Sequence, residues 1–413
     1  MGINRVLRAE ILTGIAGREK RMISMYGIES PRNRYKTASA ASASTEEWNR
    51  ALSYLRRYAE NSLAYLSLEP DKEWLFSEEP EGMISFARSG NTIVVCGDPV
   101  CADEDFPEML RVLRSFAAAE RKHLVFLMTE ETHVAEYQAE GFGCFKSGEE
   151  AVFDVQSWSM RGGKCAKARS SWHTAVNYGL SVQEYRPQEK RDAEIERQFH
   201  EITDAWLEEK HTARLQFAVG SLMLDHPCDK RYFYASDAEG TIQGINVLNP
   251  YLGGKGWIVD IMRRREGCPH GVMELLFHDI MEILKAEGVS QASLGVAPFF
   301  NTNDGDHPRL IERAEHYIYE NMNYIYGFKP LHAAKDKFNP QWKNIYVVCY
   351  PKHMSFWMDE AAFAVLDSQG FSDYVHAFLE MRKVQHEEKV DRKKEQRREK
   401  VDRKKEQHEE KAE

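Results

Sequence analysis

Residues 257 to 284 constrain the fold of this chain more than any other stretch. Trp257-Ile258-Val259-Asp260-Ile261-Met262 reads as an apolar strand carrying one acid. Arg263-Arg264-Arg265-Glu266-Gly267-Cys268-Pro269-His270-Gly271 reads as a basic turn, and Val272 to Leu284 as an amphipathic helix. A strand that passes through a short turn into a helix belongs to α/β architectures, where helices cover sheets. The stretch also carries chemistry. The first N–H groups of a helix lack partners within it and lie at the positive end of its dipole, so with three arginines they make an anion site. A solvated connection explains the arginines equally well. Asp260 is costly to bury in an apolar strand unless it is paired. It is either half of a structural ion pair or a carboxylate that orients an amine or hydroxyl of a substrate.

The rest of the chain repeats this alternation. Leu52, Leu55, Tyr58 and Ala59 recur at helical spacing. Met83–Phe86 and Thr92–Cys96 read as paired strands around Ser89-Gly90-Asn91, Phe106–Glu120 as a helix and His123–Met128 as a strand. A second cycle follows, with helices near Gly163–Gly179 and Asp192–Glu209 and strands at Tyr232–Ser236, Gly244–Leu248, Trp257–Met262 and Ile345–Tyr350. At about 150 residues per domain, a chain of 413 residues predicts two lobes. The expected division is a helix and Ala/Ser linker over 1–48, lobes over 49–160 and 161–380, and a charged tail over 381–413. The linker is read from Pro31 and the run Ala38 to Ser44, and the tail from an eleven-residue repeat almost without apolar residues.

A net charge of -10 argues against a general nucleic-acid coat, so a polyanion would have to meet a local basic surface. Two exist: Arg161, Lys164, Lys167 and Arg169, and Arg263 to Arg265. The seven cysteines show no paired CxxC spacing, and the HExxH, GxSxG and GxxxxGK[ST] patterns are lacking. Metal hydrolysis and covalent catalysis are therefore not indicated, and no metal or cofactor is expected. No stretch approaches ~20 consecutive apolar residues, and no apolar core precedes a small-residue cleavage site near the N-terminus, so the expected location is the cytoplasm. A last constellation, Lys335-Asp336-Lys337-Phe338-Asn339-Pro340-Gln341-Trp342, is either ordinary loop charge or an ammonium placed against a phosphate or a developing oxyanion.

Several short motifs occur in a particular order: Asn61-Ser62-Leu63-Ala64-Tyr65-Leu66 with Asp71-Lys72, Gly97-Asp98-Pro99-Val100, Gly148-Glu149-Glu150-Ala151, Trp206-Leu207, Asp260-Ile261-Met262-Arg263, Leu294-Gly295-Val296-Ala297-Pro298 and Lys335-Asp336-Lys337-Phe338. Together, over roughly residues 50 to 351, they resemble the catalytic domain of the phosphatidylglycerol lysyltransferase family, also called multiple peptide resistance factors. The resemblance implies tandem GNAT-like lobes of mixed α/β sheet. It implies transfer of an amino acid from aminoacyl-tRNA to a hydroxyl of a membrane lipid such as phosphatidylglycerol, by a protein peripheral to the inner membrane face. Carried over onto this chain, it makes Asp260, Arg263 and Lys337 the catalytic candidates. Asp260 would bind the α-amino group or orient the attacking hydroxyl, Arg263 a phosphate, and Lys337 the developing oxyanion. Arg264, Arg265, Lys335, Lys164 and Arg169 are the substrate-binding candidates.

Two departures bear on the particular substrates more than on the reaction class. Trp172, His173, Thr174 and Asn177 stand where the family continues with basic residues, and Arg214 stands where an acid is expected. Two other readings stay open: an acyl-CoA-dependent N-acyltransferase, whose pyrophosphate would sit at Arg264–Gly271, and a non-catalytic scaffold that recruits a partner through the tail.

Overall fold

The structure is a computed structural model that describes residues 35–209, 217–298 and 328–355, with 358, 361, 362, 364 and 365. The helix expected within 1–29, Arg214 and the charged tail lie outside these residues.

Ser44 opens the first helix, α1 (Thr45–Tyr58), because Ser-x-x-Glu is a reciprocal cap. Its hydroxyl accepts from the Glu47 N–H, and its own N–H donates to the Glu47 carboxylate at 2.7 Å. The Ala/Ser run expected as a linker is folded instead. Thr37–Ser39 form β1, antiparallel to β2 (Glu73–Glu78), and Ala38 and Ala40 are buried in the cluster that holds Trp74. Their small side chains let the backbone lie close to the indole, which a composition-based reading of loops does not anticipate.

Next come β3 (Glu81–Ser89), β4 (Thr92–Cys96), β5 (Val100–Cys101), α2 (Phe106–Glu120), β6 (His123–Glu130), α3 (Val134–Ala139) and β7 (Gly143–Asp154). The second half holds α4 (Ala166–Asn177), β8 (Ser181–Tyr185), α5 (Ala193–Glu209), β9 (Arg231–Ser236), β10 (Ile242–Tyr251), β11 (Gly256–Arg264), α6 (Val272–Ala286), β12 (Gln291–Pro298), α7 (Phe328–Asp336) and β13 (Gln341–Tyr350). The α/β class is as expected, and the elements follow one pattern twice. Three antiparallel strands (β2-β3-β4, β9-β10-β11) lead through a helix (α2, α6) to a strand parallel to the third (β6, β12), and a last strand (β7, β13) follows that has, among the described residues, a helix before it (α3, α7).

The last strands are exchanged. β7 pairs with β12 of the second half and β13 with β6 of the first, while β7 and β13 pair with each other. One sheet therefore runs unbroken in the order β1-β2-β3-β4-β6-β13-β7-β12-β11-β10-β9-β8. The helix α6 explains why the second half holds its shape: Val272, Leu275, Leu276, Phe277, Ile280, Met281 and Leu284 form a buried stripe at i, i+3, i+4 spacing. It packs on Phe233, Leu248 and Val259 of the sheet.

Candidate active site

The strands β11 and β12 are parallel neighbours only from Gly256–Ile258 against Gln291–Ser293. Beyond that point β11 stays with β10, while β12 resumes its pairing with β7 at Val296. The carboxyl ends of two parallel strands thus part, the position at which open α/β sheets form crevices. Asp260 sits on this parting edge in a bulge. Val259 pairs with Leu248 and Ile261 with Val247, which leaves Asp260 without a partner residue. Such a bulge re-aims a side chain. Val259 packs with α6, whereas Asp260 faces the opposite side, where the segment from Phe217 to Lys230 lies.

There the carboxylate is held by three groups. Oδ1 accepts from the Gly220 N–H at 3.1 Å, Oδ2 accepts from Asn249 Nδ2 at 3.0 Å, and Lys230 Nζ lies 3.7 Å from Oδ2. Lys230 is fully buried and also reaches Glu69 Oε1 at 3.4 Å, which in turn accepts from the Ser221 N–H at 3.0 Å. Burial pushes the Asp260 carboxyl above the usual carboxylate range, and Lys230 opposes that rise. Gly220 is required by contact: a Cβ there would stand 1.8 Å from Asp260 Oδ2.

Arg263, on the same face of β11, is 5% exposed. It donates to Thr203 Oγ1 at 3.1 Å and lies 4.9 Å from the centre of the Trp206 ring, both on α5. Burial lowers its pKa, and Asp260, Asp204 and Glu69 oppose this. Asp71 and Lys72 form a tight pair at 2.7 Å, with the buried Lys72 ammonium 4.1 Å from the centre of the Phe217 ring.

The motifs that hold Asn61-Ser62, Asp98 and Glu150 meet in a second buried network. Asp98 accepts from Asn61 Nδ2 at 2.7 Å, from Tyr137 Oη at 3.0 Å and from the Glu130 N–H at 3.0 Å. The Glu150 carboxylate accepts from the Ser62 and Ser293 hydroxyls. Burial, then Glu150 and Asp98, push the Glu130 carboxyl up to about 8. Lys335 reaches into the gap between β11 and β12: it donates to the Val296 carbonyl at 2.7 Å, and a Cβ on Gly295 would have Ile258 Cδ1 at 3.6 Å and Lys335 Nζ at 3.9 Å. Burial pushes its ammonium down to about 7, against the pull of Glu150.

Of the residues singled out from sequence, the structure places Asp260 and Arg263 on the same face of β11 and Lys335 at Gly295 and Val296 of β12. Lys337 goes elsewhere. It bonds Glu274 at 2.8 Å in the first turn of α6, the helix that covers the opposite face. Lys335 and Asp336 end α7 and are not loop residues. Arg264 and Lys164 are exposed. Arg265 is tied to the Ile242 carbonyl at 2.7 Å and to Gln198 at 3.2 Å, and Arg169 donates to the Met160 and Gly162 carbonyls. Sequence reasoning missed Glu69, Gly220, Lys230 and Asn249. The one local signal was a charged group, Asp229-Lys230-Arg231, set against the apolar strand that follows.

The profile of a known family, described as phosphatidylglycerol lysyltransferase, C-terminal, matches residues 52–349. A phosphatidylglycerol lysyltransferase of Bacillus subtilis (strain 168) is 30% identical over 311 residues, which are 74% of this chain and 35% of that protein. One from Staphylococcus epidermidis is 24% identical over 303 residues, 73% of this chain and 36% of that protein. The chain thus spans about a third of the length of these relatives. Among solved structures, the C-terminal domain of a putative lysylphosphatidylglycerol synthetase from Agrobacterium fabrum is 26% identical with a TM-score of 0.65, covering 79% of this chain and 96% of its own. The L-PGS structure from Bacillus licheniformis shares the fold, with 24% identity and a TM-score of 0.67, covering 80% and 97%.

Proposed function

The chain belongs to the family defined by the C-terminal domain of phosphatidylglycerol lysyltransferase, and from that premise we propose that it is an aminoacyltransferase that moves an amino acid, lysine first among them, from aminoacyl-tRNA to a hydroxyl of phosphatidylglycerol. The observation that carries this reading is the buried Asp260 centre at the parting ends of β11 and β12, with Arg263 on the same strand and Lys335 at Gly295 and Val296 of β12.

In the proposed reaction the lipid hydroxyl attacks the carbonyl carbon of the aminoacyl ester. A new ester C–O bond forms, the bond to the terminal ribose oxygen breaks, and one proton passes from the lipid hydroxyl to that ribose oxygen. An activated ester needs positioning and charge stabilisation more than covalent help. Asp260 holds the amino group. Arg263 takes a phosphate of lipid or tRNA. Lys335, with its ammonium pushed down to about 7, is the group in the gap suited to carry the proton near neutrality. Lys337, which the family resemblance placed at the developing oxyanion, is held by Glu274, so the lysine of this motif proposed to act in the reaction is Lys335. The exposed Lys164, Lys167 and Arg264 are candidates for tRNA phosphate contacts. The proposed location is cytoplasmic, peripheral at the inner membrane face. Among the described residues no helix is long and apolar enough to cross a membrane.

The test is reconstitution. Purified protein, tRNA charged with labelled amino acid and phosphatidylglycerol vesicles should yield aminoacylated lipid, detected by mass spectrometry. No product with any amino acid tried, from protein with an intact unfolding transition, overturns the reading.

A further inference from the structure

Lys72 is fully buried, yet the proposed reaction gives it no part. Its ammonium bonds both oxygens of Asp71, at 2.7 and 2.9 Å. A pair between chain neighbours ties no two elements together, so it does not explain why a lysine is carried into the interior, where a charge is costly. Beyond its own turn the ammonium lies 4.1 Å from the centre of the Phe217 ring, which is fully buried as well. Away from water, the face of an aromatic ring attracts a cation at that distance. An apolar side chain would fill the same space without the cost of a buried charge, so the ammonium is accounted for by its hold on the ring.

Phe217 opens the segment that holds Asp260. In sequence this segment, Phe217 to Lys230, lies between α5 and β9 of the second half, but the first half grips it. The Cys96 thiol at the end of β4 lies 4.0 Å from the Phe217 carbonyl oxygen, and Arg56 and Tyr65 both bond Asp229 at 2.8 Å. The grip is closest around Gly220, whose N–H donates to Asp260 Oδ1. Lys72 holds Phe217 ahead of that glycine, and the buried Glu69 carboxylate accepts from the Ser221 N–H directly after it. Both come from one turn, Glu69-Pro70-Asp71-Lys72, closed by the Lys72 N–H donating to the Glu69 carbonyl at 3.1 Å.

We infer that this turn is a clamp by which the first half sets the position of Asp260 in the second, and that Lys72 is a positioning residue acting through the Phe217 ring. This rests on the aminoacyl-transfer reading, in which Asp260 belongs to the reactive centre, and it gives the first half a task in that reaction. The parts fit the task. Asp71, 25% exposed, balances the charge of the buried ammonium, while the ring of Phe217 takes its attraction and passes it to the backbone that carries Gly220. The clamp spans the two halves, so neither half alone holds the carboxylate in place.

The test weakens the ring face while nearly keeping its shape. Full-length protein is prepared with mono-, di- and trifluorinated phenylalanine at position 217, each fluorine withdrawing charge from the face that the ammonium meets. Hydrogen exchange of the peptide covering 217–222 is followed by mass spectrometry, alongside kcat and KM for aminoacyl-lipid formation. Exchange should quicken and kcat should fall step by step with fluorination, each reaching about tenfold in the trifluorinated protein, while KM for charged tRNA stays within about threefold of the parent. Lys72→Met should match the trifluorinated protein in both readouts. A ring that merely packs would give a flat series, and a flat series in either exchange or kcat, or Lys72→Met within about threefold of the parent, overturns the inference. The fluorinated series decides even if Lys72→Met fails to fold. Stepped exchange without lipid product from the parent would overturn the proposed function but leave the clamp standing, and lipid product with a flat series would do the reverse.

Discussion

Replacing Gly220 by alanine puts a methyl group where the Asp260 carboxylate now lies. The new Cβ would stand 1.8 Å from Oδ2 and 2.8 Å from the carboxyl carbon, and real Cβ contacts essentially never fall below 3.0 Å. Loop and carboxylate must therefore separate by about 1.2 Å. Gly220 is not in the left-handed region of backbone space, so the effect is steric alone. Separation breaks the N–H bond to Oδ1, now 3.1 Å, a hydrogen bond to a charged group worth roughly 1.5–3 kcal/mol. A misplacement of about 1 Å in a positioned group costs on the order of 100-fold in rate, or about 2.7 kcal/mol of transition-state stabilisation. The expected outcome is a fall of about 100-fold in aminoacyl-lipid formation, with the melting temperature lowered by about 3–12 °C, since each kcal/mol of the roughly 1.5–3 kcal/mol lost moves it by roughly 2–4 °C. Initial rates with charged tRNA and phosphatidylglycerol vesicles, alongside calorimetry, measure both. Gly163→Ala is the control, because nothing lies within 4 Å of its Cβ. A Gly220→Ala protein with activity within about threefold of the parent would refute the placement of Asp260 at the centre of the chemistry.

Three further outcomes are expected. Lys335→Met should lower lipid product about 100-fold. Lys337→Met should cost under about 1 kcal/mol in denaturant titration, because its pair with Glu274 is partly exposed at 26% and 12%. The opposite ranking of the two activities would remove Lys335 from the reaction. Asn246→Leu should raise unfolding free energy by about 1–3 kcal/mol, since both amide atoms of this fully buried side chain lack partners; a lower midpoint in guanidinium would contradict that. Glu130, with its carboxyl pushed up to about 8 from 4.5, keeps its proton in the folded protein over a range where the unfolded chain releases it. Its contribution to stability is therefore full below about pH 4.5 and lost as pH rises through about 8. The melting-temperature advantage of Glu130→Gln over the parent should accordingly grow from pH 5 to pH 8 and level off above, and a flat difference would show that Glu130 titrates normally.

Short-range patterns were readable directly. The stripe of α6, the helices α2, α4 and α5 and the strands β9 to β11 declare themselves by spacing, because a helix or strand that buries one face must repeat its apolar residues at 3.6 or 2. Asp260 stood out for the same local reason, an acid in an apolar strand. β12 escaped notice because Gly295 and Pro298 weaken its strand character, and its pairing shifts between Ser293 and Val296.

What the amino-acid order determined by itself, then, was the α/β class, most of the elements and the acid around which the site is built. Tertiary structure alone decided the rest. The exchange of β7 and β13 is a choice of hydrogen-bond partner between distant strands that no periodicity encodes. The separation of Lys335 from Lys337 depends on where α7 ends against the sheet. Glu69 and Lys230 lie 161 residues apart and can be buried only because each supplies the other's charge, and the bulge that turns Asp260 toward them exists only once β10 has set its register. A buried charge is tolerable only with its partners present, and here those partners come from remote parts of the chain.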